Sequence, residues 1–527
     1  MSKILALKVL EEALKKGVQE FCICAASRNA DFVKILNQAI GIRVYSWFEE
    51  RSAGYFALGR IKQTGRPVGV ITTSGTAAGE LLPAMMEGYY SGLPLLAITA
   101  DRPRRLRGTG APQTAEQVNL YGPYAIFSED LADGENCHLK KWDLSAPAHL
   151  NVCLEDPSGM ASEEAERVDF RDLKKEPLYA SSDAENPLNR ALLDQFFKLS
   201  KRPLVIVSAL KVVDKEAVAD FLVKLGAPCY LEATSGLREN PKLQPLRITR
   251  TENLWKHAER AGYEIDGVLR LGGVPTVRLW RDLEDQRQHV HVCSISELPF
   301  AGLNRGAHIR TALKPFFASY EKLVSFERSA RPWIEADQQY QLAFQALCHE
   351  EPEAEPSMIA SLSKLLPPRS RIYLGNSLPI REWDMAASHE DRDIQVEANR
   401  GMSGIEGQIS TFLGWCVPHT PQFALLGDLT ALYDLAGPWI LPQLPHISAQ
   451  IMVVNNQGGK IFSRMYREEI FQNGHQISFQ HFAAFWNLPY ALWERIPDQL
   501  KIEGCALIEL RPNSEATTRF WKKLGTL

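Results

Sequence analysis

The chain has 527 residues, a formal net charge of −4, and a composition of 45% hydrophobic and 23% charged residues. This composition is typical of a globular protein, and the length is too great for one hydrophobic core, so about three domains are expected. The slightly negative charge gives no reason to expect nucleic acid or an anionic membrane as a partner. No apolar run is long enough to span a bilayer.

The nine cysteines are scattered along the chain. The closest pair, Cys22 and Cys24, lies in the strand-like run FCICAA, where alternation would point the two side chains to opposite faces. We therefore expect neither a disulfide framework nor a zinc site, and we expect a cytoplasmic location.

The predicted elements alternate between strand and helix. After an N-terminal amphipathic helix, MSKILALKVLEEALKKG, the first strand-like runs are VQEFCICAA, PVGVITTSG, LPLLAITADR and AHLNVCLEDP. A charged segment, RVDFRDLKKEPLYASSDAENP, precedes a second series, RPLVIVSAL, DGVLRLGG and HVHVCSI. An acidic, proline-broken segment of the kind found in linkers, CHEEPEAEPSM, precedes a third series, RIYLGNS, FALLGD, AQIMVVNN and CALIELRP.

Apolar strands that alternate with helices predict parallel sheets covered by helices on both faces. We therefore predict an α/β protein of three doubly wound, mostly parallel-sheet domains. The predicted boundaries lie near residues 175 and 345.

Polar residues end two strands of the third series: Asp428 follows FALLG and Asn456 follows AQIMVVN. In such sheets, ligands bind outside the carboxyl ends of the strands. A carboxylate, an amide and a backbone carbonyl suit Mg²⁺, which takes further ligands from water and phosphate. Gly458 and Gly459 would let the backbone approach the bound group. The alternative is that Asp428 caps the next helix and residues 455–459 form a turn.

These motifs carry a family resemblance. GDL followed by NNQGG resembles the thiamin diphosphate-binding motif of the thiamin-dependent decarboxylases and synthases. More narrowly, GDLTALYDL and VVNNQGGKIFS resemble the 2-succinyl-5-enolpyruvyl-6-hydroxy-3-cyclohexene-1-carboxylate synthase family of menaquinone biosynthesis. Five stretches that precede these motifs in the chain occur in that family's order: FEERSAGYFALG, TTSGTAAGELLPAMMEG, LAITADRP, GNSLPIR and ANRGMSGIEG. The resemblance implies a pyrimidine-binding domain (1–175), a central domain (176–345) and a diphosphate-binding domain (346–527).

The resemblance also implies the cofactor site. Mg²⁺, or Mn²⁺ in its place, would be held by the side chains of Asp428 and Asn456 and the carbonyl of Gly458, and would clamp the diphosphate. Glu50 would bind the far nitrogen of the aminopyrimidine, and Ile405 would wedge the cofactor into its bent shape. Without the resemblance, these two residues would be an exposed helical charge and a core residue. The remaining implied cofactor-binding residues are Gly427, Leu429 and Gly459.

The family joins decarboxylated 2-oxoglutarate to isochorismate, and both substrates are dicarboxylates. Arginine suits such substrates because its guanidinium is always charged and binds carboxylate bidentately. The alternative for each arginine is a surface position or an ion pair. The substrate-binding residues that the resemblance implies are Ser27, Arg28, Arg102, Gln113, Arg278, Asn376, Ser377, Arg381 and Arg400.

Three positions depart from the family's pattern. Ala25 stands in a segment that is often Pro-Gly-Ser-Arg, Pro112 replaces an amide donor, and Leu279 leaves a basic pair with one charge. The cofactor residues are intact, so these departures concern the substrates. A different 2-oxo acid or acceptor therefore stays open.

Three hypotheses follow. The first is this synthase, in menaquinone or phylloquinone biosynthesis, as a homodimer or tetramer in which the pyrimidine-binding domain of one chain faces the diphosphate-binding domain of another. The second is a different thiamin diphosphate-dependent 2-oxo acid decarboxylase or carboligase. The third is a non-catalytic or nucleotide-binding α/β protein, although no G-x-G-x-x-G or G-x-x-x-x-G-K-[ST] fingerprint opens any of the strand–helix units.

Overall fold

The computed structural model describes residues 2–155, 168–171, 186–320, 326–466, 468–500 and 504–526. Their strands form three six-stranded sheets connected by helices. Every strand pairing with a described register is parallel. The predicted α/β class with three parallel sheets is confirmed.

The first sheet is built from the N-terminal part of the chain. Its strands are β1 (Glu20–Cys24), β2 (Arg43–Trp47), β3 (Val68–Thr72), β4 (Leu95–Asp101), β5 (Phe127–Leu131) and β6 (Ala148–Cys153), in the order β2-β1-β3-β4-β6-β5. All residues of β3, β4 and β6 are buried, which explains their continuous apolar runs. The helices of this part are α1 (Ser2–Lys15), α2 (Ala30–Gln38), α3 (Glu50–Thr64), α4 (Thr76–Gly79) and α5 (Leu82–Ser91).

The second sheet has the order β12-β11-β10-β7-β8-β9, where the strands are β7 (Pro203–Val207), β8 (Cys229–Leu231), β9 (Arg247–Ile248), β10 (Gly267–Leu271), β11 (His291–Ser296) and β12 (Ala307–Arg310). The helices of this part are α6 (Pro187–Leu199), α7 (Lys215–Leu225), α8 (Leu254–Arg260), α9 (Arg278–Asp285), α10 (Leu313–Ala318) and α11 (Glu327–Glu350).

The third sheet has the order β14-β13-β15-β16-β18-β17, where the strands are β13 (Arg371–Leu374), β14 (Gln395–Glu397), β15 (Pro421–Gly427), β16 (Ser448–Val454), β17 (Tyr490–Trp493) and β18 (Ala506–Leu510). The helices of this part are α12 (Glu355–Leu365), α13 (Leu378–Ala386), α14 (Gln408–Trp415), α15 (Asp428–Leu432), α16 (Gln480–Phe485) and α17 (Ser514–Leu524).

The chain divides into two compact units. The first contains the first sheet and helix α14, and its ranges are Met1–Ala180, Gly401–His419 and Thr430–Ala449. The second contains the strands of the second sheet and nearly all of the third, and its ranges are Ser181–Arg400, Thr420–Leu429 and Gln450–Leu527. The domain boundaries stay predictions: the one near 175, with most of the charged segment around it, lies outside the described residues, and the one near 345 falls within α11.

In the first unit, helices α3 and α14 pack against each other at glycines. A Cβ atom on Gly59 would lie 2.1 Å from the Thr411 carbonyl oxygen, and one on Gly414 would lie 2.2 Å from the Phe56 carbonyl oxygen. Only glycine allows such a close approach of two helix backbones. The helix that begins with Glu50 is thereby fixed against the helix that follows Ile405.

The cysteines and the helix lengths are two further features of the chain. All nine cysteines are free thiols. Among the described residues, no helix has both the length and the apolar character needed to cross a membrane.

Candidate active site

The predicted metal ligand Asp428 lies at the carboxyl end of β15, and Asn456 lies just beyond the end of β16, which is its neighbour in the sheet. Asp428 is only 2% exposed, and its carboxylate accepts hydrogen bonds from the backbone N–H groups of Gly458 at 2.8 Å and Leu429 at 2.6 Å. His475 Nε2 lies 3.3 Å from the same carboxylate. Burial raises the pKa of Asp428, and these N–H groups oppose the shift. The carboxylate therefore does more than cap α15, because it also holds the loop at Gly458.

Only the nitrogen of the Asn456 side-chain amide has a hydrogen-bond partner among the described residues. Its Nδ2 donates to both carboxylate oxygens of Glu355, at 2.9 and 3.0 Å. Its buried Oδ1 has no hydrogen-bond partner within the described part of the chain. Glu355 is 3% exposed, and burial raises its pKa to about 7, with the charge of Asp428 acting in the same direction. An orphaned amide oxygen near a buried carboxylate fits a hard cation.

Gly458 is fixed by the loop that faces it. Its φ is +134°, and a Cβ atom there would lie 2.5 Å from the carbonyl oxygen of Gln472, so only glycine fits. The N–H of Gly459 donates to that same carbonyl at 2.5 Å. Gly427 and Leu429, on either side of Asp428, are half-buried. The donor set and the tight glycine backbone fit a metal ion that carries a diphosphate.

Four predicted substrate residues lie together in the second unit, three of them after β13 and Arg400 after β14. Asn376 is fully buried, and its Oδ1 accepts from Arg400 Nη1 at 2.5 Å. Arg381 Nη1 donates to the carbonyl of Ser377 at 2.5 Å. Ser377 has a φ of +75°, an uncommon conformation that marks the sharp turn into α13. Desolvation lowers the pKa of Arg381, and the positive charge of Arg400 acts in the same direction.

Arg278 is the first residue of α9, and its side chain is 65% exposed. Its Nε donates to Asp282 at 2.9 Å, one turn further along the helix. This hydrogen bond and ion pair of Arg278 involve neither Arg381 nor Arg400. Leu279, where the family resemblance expects a second charge, is 2% exposed and packs in the core.

Glu50 is the first residue of α3 in the first unit. The preceding Glu49 caps the helix by accepting from the backbone N–H groups of Arg51 and Ser52. Glu50 is half-buried, which is at odds with the alternative of an exposed helical charge. Burial raises its pKa, and the nearby charges of Glu49 and Glu80 add to the shift. A carboxyl group desolvated in this way suits a hydrogen bond to a ring nitrogen.

Ile405 belongs to the same unit and lies three residues before α14. It is half-buried, so it is not the core residue of the alternative interpretation. The neighbouring Glu406 accepts a hydrogen bond from the Tyr55 hydroxyl of α3 at 3.0 Å. The loop that carries Ile405 is thereby tied to the helix that begins with Glu50.

The remaining predicted substrate residues follow β1 and β4 of the first sheet. Arg102 Nη2 donates to the side chain of Gln113 at 3.2 Å, so the structure brings these two residues together. Gln113 is exposed and has a φ of +56°. Arg28 is 4% exposed, and its Nη1 donates to the Leu154 carbonyl at 2.7 Å, while Ser27 is exposed. Both strands end at the same edge of the sheet because the sheet is parallel.

Comparisons with known proteins extend this description. Residues 6–120 match the family described as "Thiamine pyrophosphate enzyme, N-terminal TPP binding domain". Three relatives named 2-succinyl-5-enolpyruvyl-6-hydroxy-3-cyclohexene-1-carboxylate synthase are similar over nearly their whole length. The one from Bdellovibrio bacteriovorus is 43% identical over 99% of this chain and 98% of the relative. The one from Akkermansia muciniphila is 35% identical over 98% of this chain and 97% of the relative. The one from Listeria monocytogenes serotype 4b is 28% identical over 96% of this chain and 93% of the relative.

The chain belongs to the 2-succinyl-5-enolpyruvyl-6-hydroxy-3-cyclohexene-1-carboxylate synthase family. It is therefore a thiamin diphosphate-dependent enzyme. The hypothesis of a non-catalytic or nucleotide-binding protein is wrong.

Several polar residues near the site were missed by sequence reasoning. Glu355 lies in the segment that resembled a linker, but it begins α12 and is buried. The sequence around His475 matches no recognised motif. Gln117 is fully buried, and its Oε1 accepts from the backbone N–H of Gly75 at 2.8 Å while its Nε2 donates to Asn151 at 3.0 Å. None of these side chains stands at a recognisable spacing from the family's motifs.

Proposed function

We propose that this enzyme decarboxylates 2-oxoglutarate and transfers the remaining succinyl unit to isochorismate, in menaquinone or phylloquinone biosynthesis. The observation that carries the proposal is that Arg381 and Arg400 are held at two adjacent residues of one turn. Arg400 donates to the side chain of Asn376, and Arg381 donates to the carbonyl of Ser377. The charge of Arg400 contributes to the lowered pKa of Arg381, so the two guanidinium groups repel each other. Such repulsion is relieved by an anionic ligand, and a carboxylate is the anion that both substrates offer.

Asp428, Asn456 and Gly458 are proposed to hold Mg²⁺, or Mn²⁺ in its place, and through it the cofactor's diphosphate. The unpartnered Oδ1 of Asn456 supports this assignment. Gly427, Leu429 and Gly459 would line the diphosphate. Bound thiamin diphosphate would supply a carbon nucleophile for the 2-oxo group and a sink for the electrons that decarboxylation releases.

Glu50 is proposed to hold a hydrogen bond at the far nitrogen of the aminopyrimidine, which favours the imino form. Its raised pKa supports this role, because a desolvated carboxyl group gains from a directed hydrogen-bond partner. Ile405 is proposed to press on the cofactor and hold it bent. Its partial exposure leaves a side-chain surface for that contact.

Substrate binding is proposed to use the nine residues that the resemblance implies. Arg381 and Arg400, with Asn376 and Ser377, would bind the carboxylate that 2-oxoglutarate keeps after decarboxylation. Ser27, Arg28, Arg102, Gln113 and Arg278 would serve the other carboxylates of the two substrates. The assignment follows from the resemblance and from charge complementarity.

We also propose the family's three-domain division at about residues 175 and 345, a homodimer or a tetramer of it, and a cytoplasmic location. The dimer would place the pyrimidine-binding domain of one chain against the diphosphate-binding domain of another. Glu50 and Asp428 belong to different compact units of the chain, which is compatible with a site shared between chains.

The proposal is tested first by circular dichroism during titration with thiamin diphosphate and Mg²⁺, and then by CO₂ release from a panel of 2-oxo acids. We expect cofactor binding to require the metal, and 2-oxoglutarate to be preferred over pyruvate and 2-oxobutanoate. A preference for a monocarboxylic 2-oxo acid would support the alternative decarboxylase or carboligase. That alternative gains some weight from Pro112 and Leu279, which lack the polar groups expected there.

A further inference from the structure

The segment after β8 forms hydrogen bonds with two helices of the second unit, α9, which begins with Arg278, and α13, which contains Arg381. Glu232 is 3% exposed, and its Oε1 accepts from the backbone N–H groups of Thr276 at 2.6 Å and Val277 at 3.2 Å, the two residues that precede α9. The next residue, Ala233, donates its N–H to the Asp384 carboxylate of α13 at 2.7 Å. Glu232 thus binds the start of α9, and the adjacent Ala233 binds the body of α13.

The same segment also holds the end of α13. Arg238 is 1% exposed, and its guanidinium donates to the carbonyls of Ala387 at 2.6 Å and Ser388 at 2.8 Å. Longer contacts of 3.4 Å reach the carbonyl of Asp384. Carbonyls at a helix end have no partner within the helix, so a buried guanidinium is a fitting donor. Helix α13, which carries Arg381, is therefore fixed relative to the start of α9.

This arrangement brings a third cation to the arginine pair. Arg281 lies on α9, three residues after Arg278 and on the same side of the helix. It is exposed and has no ion-pair partner among the described residues. Its charge acts on Arg381 in the same direction as that of Arg400, whereas Asp384 and Glu232 act against them. Three cations whose charges act on one another raise the local affinity for an anion.

We propose that Arg281 binds, together with Arg381, the carboxylate of 2-oxoglutarate that stays after decarboxylation, and that Glu232 positions Arg281 by holding the start of α9. The inference rests on the proposed function. It also accounts for Leu279: the charge that the family resemblance expects there is supplied by Arg281, two residues further along the chain.

The choice between the two carboxylates of the substrate follows from the reaction. The carboxylate that leaves as CO₂ loses its charge in the transition state, so strong binding to cations would stabilise the ground state and slow the reaction. The remote carboxylate keeps its charge throughout. A cluster of cations therefore suits the remote carboxylate.

The test compares two 2-oxo acids on the intact holoenzyme. 2-Oxoglutarate carries the remote carboxylate, and 2-oxopentanoate has the same chain length without it. Arg281→Ala should lower kcat/KM for 2-oxoglutarate by roughly tenfold or more and leave 2-oxopentanoate nearly unchanged. The affinity for thiamin diphosphate, measured by calorimetry, should stay at the wild-type value. Lys256→Ala, which removes an exposed cation from α8 in the same unit, is the charge-matched control and should behave as wild type.

Glu232 is tested with a pair of variants. Glu232→Ala should reproduce the selective loss with 2-oxoglutarate, because the start of α9 is released. Glu232→Gln keeps an oxygen acceptor for the two N–H groups and should retain most of the activity. A loss of equal size with both 2-oxo acids would show a general structural effect and would overturn the positioning role.

The outcomes separate this inference from the proposed function. A wild-type enzyme that releases no CO₂ from 2-oxoglutarate would overturn both. A wild-type enzyme that prefers 2-oxoglutarate, combined with an unaffected Arg281→Ala variant, would overturn the role of Arg281 alone.

Discussion

The side-chain nitrogen of Asn456 donates to both carboxylate oxygens of Glu355, at 2.9 and 3.0 Å. This pair of bonds fixes which end of the amide faces Glu355, and it leaves Oδ1 buried without a partner among the described residues. Carboxylates behind a metal ligand commonly orient it in this way. The buried Glu355 is therefore expected to set the metal affinity without touching the metal.

Glu355→Gln is predicted to raise the Mg²⁺ concentration needed for half-maximal thiamin diphosphate binding by about 10- to 100-fold. The new amide can donate to Asn456 Oδ1, so the Asn456 amide can turn and withdraw its oxygen from the metal. Calorimetric titration of the cofactor at several Mg²⁺ concentrations measures the effect. Asp428→Ala should bind no cofactor at ordinary Mg²⁺ concentration, and Glu353→Gln, a partly exposed neighbour, should match wild type. An unchanged Mg²⁺ requirement in Glu355→Gln would contradict the orienting role.

Arg381→Ala and Arg400→Ala are each predicted to reduce kcat/KM for the dicarboxylate substrates by one to two decades. A charge-assisted pair in a partly desolvated site contributes about 1.5–3 kcal/mol. Cofactor affinity should change little, because the hydrogen bonds of the two arginines go to Asn376 and Ser377 rather than to the proposed metal ligands. Steady-state kinetics with each substrate varied in turn, alongside cofactor titration, measures both quantities. Kinetics equal to wild type with both substrates would remove these arginines from the site.

Gly414→Ala is predicted to destabilise the first unit. The added Cβ atom would lie 2.2 Å from the Phe56 carbonyl oxygen, so helices α3 and α14 must move apart. Overpacking of this kind costs about 1–3 kcal/mol in the free energy of unfolding. Denaturant unfolding followed by fluorescence gives the change. Gly79→Ala is the matched control, since that Cβ atom meets no atom within 4 Å and should have little effect; equal midpoints for both variants would refute the packing argument.

A mixture of Glu50→Gln and Asp428→Asn chains is predicted to recover activity that neither variant has alone. If each site takes Glu50 from one chain and Asp428 from the other, a mixed dimer has one site with both lesions and one site with none. Random reassociation of equal amounts should restore about a quarter of the wild-type activity. Activity should be assayed after labelled chains have shown that subunits exchange. Proven exchange without recovery would rule out the shared site.

The sequence predicted the interior of each sheet and missed its edges. The eleven apolar runs correspond to β1, β3, β4, β6, β7, β10, β11, β13, β15, β16 and β18. The strands missed are the six at the sheet edges and the short β8. Five of the six edge strands have a mixed burial pattern, as in RVYSW of β2, so they lack a continuous apolar run. The sixth, β9, has only two residues, and β8 has only three, so both are too short to give a signal.

For the site, too, the sequence predicted some residues and missed others. Asp428 and Asn456 could be placed on neighbouring strands because each ends an apolar run. Glu355 and Glu232 could not be found, because each acts through a contact with a residue far away in the chain, at Asn456 and Thr276. A long-range hydrogen bond leaves no periodicity or spacing in a single sequence. Such supporting residues become visible only in the folded protein.

The proposed reaction joins a succinyl unit from 2-oxoglutarate to isochorismate. The most direct measurement is mass spectrometry of the product formed by the enzyme with thiamin diphosphate, Mg²⁺ and both substrates, one of them 2-oxoglutarate labelled with ¹³C throughout. We predict an adduct whose mass equals that of isochorismate plus 2-oxoglutarate minus CO₂, with four labelled carbons retained. Release of labelled succinate semialdehyde with isochorismate left unchanged would contradict it.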